Sequence, residues 1–320
     1  MDGVISQITH ILFVVCAAIL GVALLTAFFA PSLIRWIARY TPQDRLTLLE
    51  LYAILPLAGG IFAGTMAALP TLSHALNIAV DHCHDSTACW WREAPHAVPP
   101  GQMLVMGLIA MSAVWAMLTA FRQWQRAHRL SSQLALGSCG AVGQNIKLID
   151  SRRIIAFSTG LLKPFAVIST GLARRLTADQ LAIVCLHEQL HTENRDNWHK
   201  WLFNVLSMFH WMGVRRSLLS EYALSLELRV DEQVARQVDN RIAVAETIVA
   251  VQRLTQGDQQ SAACCYFAGS STERRVLHLL NSKISSSLPR HLLATFIFCG
   301  IAAASSSALL FHDVFDALII

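Results

Sequence analysis

Apolar positions along this chain come first in long blocks and later in helical or alternating patterns. Four blocks are nearly continuous, at about 9–30, 51–72, 102–121 and 291–311. Each supplies the roughly 20 apolar residues that an α-helix needs to cross a bilayer, so the pattern predicts four transmembrane helices. The first block does not read as a cleaved leader, because residues 1–7 carry no positive charge and include Asp2. The second contains Pro56 and the pair Gly60 and Gly64, a spacing that permits close helix contact.

Between the third and fourth blocks the pattern changes, and only residues 122–289 can bury a water-facing core. Residues 145–150, 154–157 and 165–170 predict three short strands, parted by Ser151-Arg152-Arg153 and by 160–164. Thr177-Ala178-Asp179-Gln180 then predicts a helix start near Ala178, with Thr as N-cap and Gln reaching back in a capping box. Residues 198–212, with Trp201, Val205, Met208, Phe209 and Trp211, form a strongly apolar run. It reads equally as a buried core helix or as a helix against the bilayer. Amphipathic helices follow at 221–240, 242–254 and 270–280, with a break at Gly257-Asp258.

Composition agrees with the blocks. With 54% hydrophobic and 14% charged residues over 320 positions, the chain is too apolar for a soluble enzyme. A net charge of +4 does not point to direct nucleic-acid binding. Charge asymmetry between loops sets an orientation. Arg35, Arg39 and Arg45 follow the first block, Asp81, Asp85 and Glu93 the second, and Arg122, Arg126 and Arg129 the third, while Lys283 and Arg290 precede the fourth. Both termini and the loop 73–100 are therefore expected outside, with the central region in the cytoplasm. The domains expected are 1–121 (three spans), 122–289 (a cytoplasmic domain) and 290–320 (a fourth span and outer tail).

The outer loop holds His82-Cys83-His84, Cys89, the pair Trp90-Trp91 and His96. Cys83 and Cys89 fit a disulfide in an oxidising compartment. Together with His82, His84 and His96 they also fit a soft-metal or redox-sensing cluster. The eight cysteines include no CxxC pair, so a zinc ribbon is not expected.

The chemistry concentrates in His187-Glu188-Gln189-Leu190-His191. Residues four apart share a helix face, so both imidazoles can reach one metal ion, and Glu188 can serve as general base for a water activated there. Such a site needs a third protein ligand. The places where the metzincin pattern demands a Gly and a third His hold Asn194 and Asn197. A Glu on a later helix with an Asp one turn on is the gluzincin pattern, and Glu227 and Asp231 supply it: Glu227 to ligate, Asp231 to orient a ligand histidine. Two imidazoles and a carboxylate suit Zn2+. A strand just before the motif, 154–157, is the candidate edge for pairing with an extended peptide. Tyr222, His199 and His278 are candidate donors to a tetrahedral oxyanion.

Taken in order, Phe157-Ser158-Thr159-Gly160, Pro164, Val167-Ile168-Ser169, the HEQLH helix and Glu227…Asp231 resemble the integral-membrane gluzincins typified by the BlaR/MecR beta-lactam sensor-transducers. The resemblance covers nearly the whole chain. It implies a mainly α protein with four transmembrane helices plus an α+β zincin-type metallopeptidase domain in the bacterial inner membrane. It further implies zinc on His187, His191 and Glu227, Glu188 as base, and Asp231 behind a ligand histidine. Family members that carry a sensor cut themselves and a cytoplasmic repressor of the BlaI/MecI kind, which makes such a repressor and membrane lipid the expected partners and leaves a homodimer open. Only a short tail follows the fourth block, so no penicillin-binding sensor is expected, and a signal would come in through the outer loop, a partner or the membrane. No Pro occurs near Trp211. A membrane-protein quality-control protease and a non-catalytic metal-binding receptor or scaffold are the competing readings.

Overall fold

A computed structural model of the chain describes residues 2–75, 100–138, 140–141, 145–258, 265–281 and 286–289, with single positions at 291, 295 and 298. The outer-loop residues His82, Cys83, His84, Cys89 and His96 lie outside the described residues, as does nearly all of the fourth apolar block. The described part is mainly helical with one small sheet.

Helices α1 (Asp2–Ile37) and α2 (Pro42–Ala75) form a hairpin. Among the described residues, Ile11–Ile37 and Pro42–Thr65 are long and apolar enough to cross a membrane. The hairpin closes tightly because its glycines have no Cβ: one on Gly60 would sit 2.5 Å from Ile19 Cγ1, and one on Gly64 2.5 Å from Val15 Cγ2. At the corner, Thr41 caps α2 through Asp44 N–H, and Pro42 takes the first helical position, where a missing N–H costs nothing. Arg45 is buried there, donating to the Tyr40 and Ala38 carbonyls at 2.9 and 2.6 Å. Helix α3 (Pro100–Leu136) contains the third apolar block and runs on without interruption into the arginine-rich stretch. Met111, Trp115, Met117 and Phe121 are exposed along it.

The sheet has the order β1 (Gly140–Ala141), β2 (Ile146–Ile149), β4 (Phe165–Ser169), β3 (Ala156–Thr159). The β2–β4 pair is parallel and the other two are antiparallel, with Phe157 opposite Val167. Strand β3 is thus an edge, displaced two residues from the expected 154–157. The reason is local: Ile155 N–H and the Arg153 carbonyl are taken by the Ser169 hydroxyl rather than by a ladder. A short helix α4 (Thr170–Ala173) leads into α5 (Ala178–Glu193), whose capping box is formed as the sequence predicts.

The apolar run 198–212 is not one helix. Helix α6 (Asp196–Leu206) ends in a 3-10 turn (Ser207–Phe209), and α7 (Met212–Val238) starts nine residues ahead of the expected 221. No proline marks this elbow, and Gly213 falls just past it, in the first turn of α7. Its position is set by tertiary contact, with His210 extended and turned into the hairpin. Helices α8 (Arg241–Asp258) and α9 (Cys265–Leu280) complete the domain, and Gly257-Asp258, where a break is expected, are the last two residues of α8.

Three apolar clusters hold these elements together. Ile37, Leu48 and Leu49 of the hairpin pack with Phe203, Leu218 and Leu226, so α6 and α7 are joined to α1 and α2 by a shared core. A second cluster lies among α5, α7, α8 and α9, around Val230, Val234 and Leu279. The third seats the sheet on α5 through Ile168 and Val184. Helices α5 and α7 are therefore fixed on several sides, which a site built across them requires.

Candidate metal centre

Thr177 accepts from Gln180 N–H and the Gln180 side chain accepts from Thr177 N–H, both at 3.2 Å, which fixes where α5 begins. His187 and His191 fall in its second half. Their Nε2 atoms lie 3.1 Å apart. Helix α7 brings Glu227 to the same point, with Oε2 3.4 Å from His187 Nε2 and Oε1 3.6 Å from His191 Nε2. One donor atom from each residue falls within 4.8 Å of the others. Bonds of about 2.0–2.1 Å at tetrahedral angles put neighbouring donors roughly 3.3 Å apart. The imidazole pair is close to that spacing, and each imidazole has one Glu227 oxygen close to it, Oε2 for His187 and Oε1 for His191, so the three residues can close on one ion.

The outward ring nitrogens are held as well. His187 Nδ1 is 3.2 Å from Asp231 Oδ1, and His191 Nδ1 is 2.7 Å from Asp196 Oδ2. A carboxylate on Nδ1–H fixes the tautomer that leaves the Nε2 lone pair pointing inward. Both aspartates are fully buried, and each has its own cation. Arg275 of α9 donates to Asp231 at 2.7 and 2.8 Å and lies 3.3 Å from Glu227 Oε2. Arg229 pairs with Asp196 and reaches Gln43 of α2 at 3.4 Å. Removing one arginine would strand a buried carboxylate, at a cost of roughly 3–5 kcal/mol.

The electrostatics follow from this cage. Burial works against a proton on His187, but hydrogen bonds to Asp231 and Glu227 outweigh it, and the group is pushed up to about 10. Burial opposes charge on His191 too, and Asp196 and Glu227 raise it nonetheless. Burial alone would raise Glu227, yet the two imidazoles and Arg275 hold it well below the usual carboxylate range. The negative field that keeps protons on the histidines is the field that attracts a divalent cation. Glu188 is different. Burial pushes it up, the histidines oppose this only in part, and a carboxylate made more basic in this way is better suited to take a water's proton.

A cavity of about 310 Å³ opens at the centre. Ala156, Phe157 and Ser158 of the β3 edge form one wall, Ile183, Val244 and Val251 form part of another, and Asn197 and Lys200 add polar groups. Lys200 Nζ is 3.8 Å from Glu227 Oε1.

The three oxyanion donors suggested by the sequence are each engaged elsewhere. Tyr222 is buried against Phe203, with ring centroids 3.9 Å apart, and donates to Glu50 at 2.6 Å. His199 faces Glu50 at 3.6 Å, and His278 Nε2 lies 2.8 Å from Glu232. None of them lines the cavity, whereas Lys200 does. Sequence reading also missed Asp196, Arg229 and Arg275. Asp196 had a signal, as the next acidic residue beyond the motif helix; the arginines had none, because their partners come from distant helices.

A family model described as BlaR1 peptidase M56 matches residues 78–279, well over half of the chain. No curated protein and no solved structure matches.

Proposed function

The chain belongs to the BlaR1 peptidase M56 family, and from that premise we propose that it is a membrane-embedded zinc endopeptidase that cuts cytoplasmic or juxtamembrane polypeptides. The observation that carries this is the donor triangle of His187, His191 and Glu227, with each imidazole backed by a buried aspartate. Zinc bound by these three residues would supply Lewis acidity at the scissile carbonyl and the attacking water. Glu188 takes the water's proton and delivers it to the leaving amine. Lys200 brings positive charge to the cavity where the tetrahedral oxyanion develops. The free edge of β3 offers backbone groups to an extended substrate, aligning it along the centre.

In this reading four helices span the bacterial inner membrane, the domain 122–289 faces the cytoplasm, and both termini lie outside. The loop charges support that orientation. The substrate is a transcriptional repressor of the BlaI/MecI kind, the chain itself, or both, with the outer loop as the receiver of a signal. A Glu188→Gln variant tests the reading. Peptides should accumulate in wild-type membranes and be absent from the variant, while both retain metal. If wild-type membranes show no metal-dependent proteolysis and the variant behaves identically in cells, the chain is a binding scaffold and the enzyme reading is lost.

A further inference from the structure

The elbow between α6 and α7 lies against the membrane helices, inside the segments read as spans. His210 Nδ1 is 3.1 Å from the Thr26 hydroxyl, and its ring stacks on Tyr52 with centroids 5.7 Å apart. Thr26 belongs to the span Ile11–Ile37 and Tyr52 to Pro42–Thr65. On the α3 side, the Thr119 hydroxyl donates to Met208 Sδ at 3.7 Å and Trp201 Nε1–H to the Ala120 carbonyl at 3.3 Å. The elbow is thus packed at the level of three apolar helices.

Its tip is apolar and uncovered. Trp211 is 72% exposed and Met212 65% exposed. Nearby along the same helices, Phe28 and Phe29 of α1 and Leu118 and Phe121 of α3 are exposed as well, so the tip continues a lipid-facing belt. The first charges after it are Arg215 and Arg216, about one helical turn along α7. Arg215 is held inward by Asn204 Oδ1 at 2.6 Å, whereas Arg216 is exposed, with its guanidinium 3.9 Å from Met212 Sδ, and can extend toward head groups while the tip stays in hydrocarbon.

We propose that Trp211 and Met212 insert into the inner leaflet, with phospholipid acyl chains as their partner, making the α6–α7 elbow a second membrane attachment beside the spans. The proposal rests on the reading of α1 and α2 as membrane helices. It has a geometric consequence for the substrate. Helix α6 has 11 residues, so it spans about 16 Å from Asp196, beside the metal centre, to Leu206, where the elbow begins. That is a reach of about five extended residues, which puts chain segments just inside the membrane within range of Glu188.

A photoreactive diazirine amino acid placed singly at positions 28, 211 and 242 of the full chain in phospholipid vesicles tests this. All three sites are exposed, at 77%, 72% and 61%, so substitution leaves packing intact, and bound metal verifies folding. Phospholipid adducts are expected at 28 and 211, and water adducts at 242, on the far side of the peptidase domain. Adducts at 28 with only water or protein adducts at 211 overturn the elbow's insertion while leaving the spans standing. Loss of phospholipid adducts at 28 as well removes the premise, and the proposal with it.

Discussion

Among the described residues, the metal centre and the elbow both bury imidazoles, and they are furnished differently. His187 and His191 sit among Glu227, Asp231 and Asp196, with Arg275 and Arg229 behind the aspartates. His210, equally buried, has the Thr26 hydroxyl and the Tyr52 ring as its partners. One arrangement concentrates negative charge on a point between two nitrogens; the other offers hydroxyl and aromatic contact. The residue type and its depth are alike in both, so function is decided by neighbours. The first place is built for a cation and the second for a neutral ring joining two parts of the fold.

The largest separation between the two should come from alanine at each. His187→Ala is expected to abolish bound metal, measured by elemental analysis of the purified membrane protein, together with all proteolysis. Asp196→Asn goes a step behind the ligand. It should weaken metal binding by roughly 10–100-fold in chelator competition; an unchanged affinity would mean that the 2.7 Å contact to His191 does nothing for the centre.

Acidity sharpens the contrast further. His187 is raised from its usual 6.5 to about 10, so in the metal-free protein its protonated form contributes stability that is full below 6.5 and is lost as pH rises through about 10. Metal needs the neutral ring, so affinity should climb across the same window, by about tenfold per pH unit for each proton displaced. The gap in melting temperature between metal-loaded and metal-free protein should widen accordingly. His210→Ala is the mildest change. It should lower stability by about 1–3 kcal/mol through a lost buried contact, seen as a lower denaturation midpoint, with metal affinity untouched.

What the chain revealed in advance divides by distance along the sequence. The start of α5 was legible because a capping box is complete within four residues, and the pairing of His187 with His191 because i,i+4 is a property of any helix. Glu227 was legible only through its spacing to Asp231; its approach to the imidazoles is tertiary. The Trp201–Trp211 run misled because nothing in its composition marks a turn, and contact with Thr26 and Tyr52 decides where it bends. Tyr222 and His199 misled for a related reason. Their polar atoms answer to Glu50, which lies just ahead of the second apolar block and which the structure puts on α2 beside α6 and α7. Strand β1, two residues long, was too short for any pattern to show.

Glu50 also makes the membrane hairpin and the peptidase mechanically one object. It receives the Tyr222 hydroxyl and faces His199, and Tyr222 stands little more than one turn before Glu227 on a stiff helix. A lever held so close to its load transmits displacement almost without slack. A displacement of α2 would therefore be felt at Glu227, and through it at the geometry of the three-residue cluster.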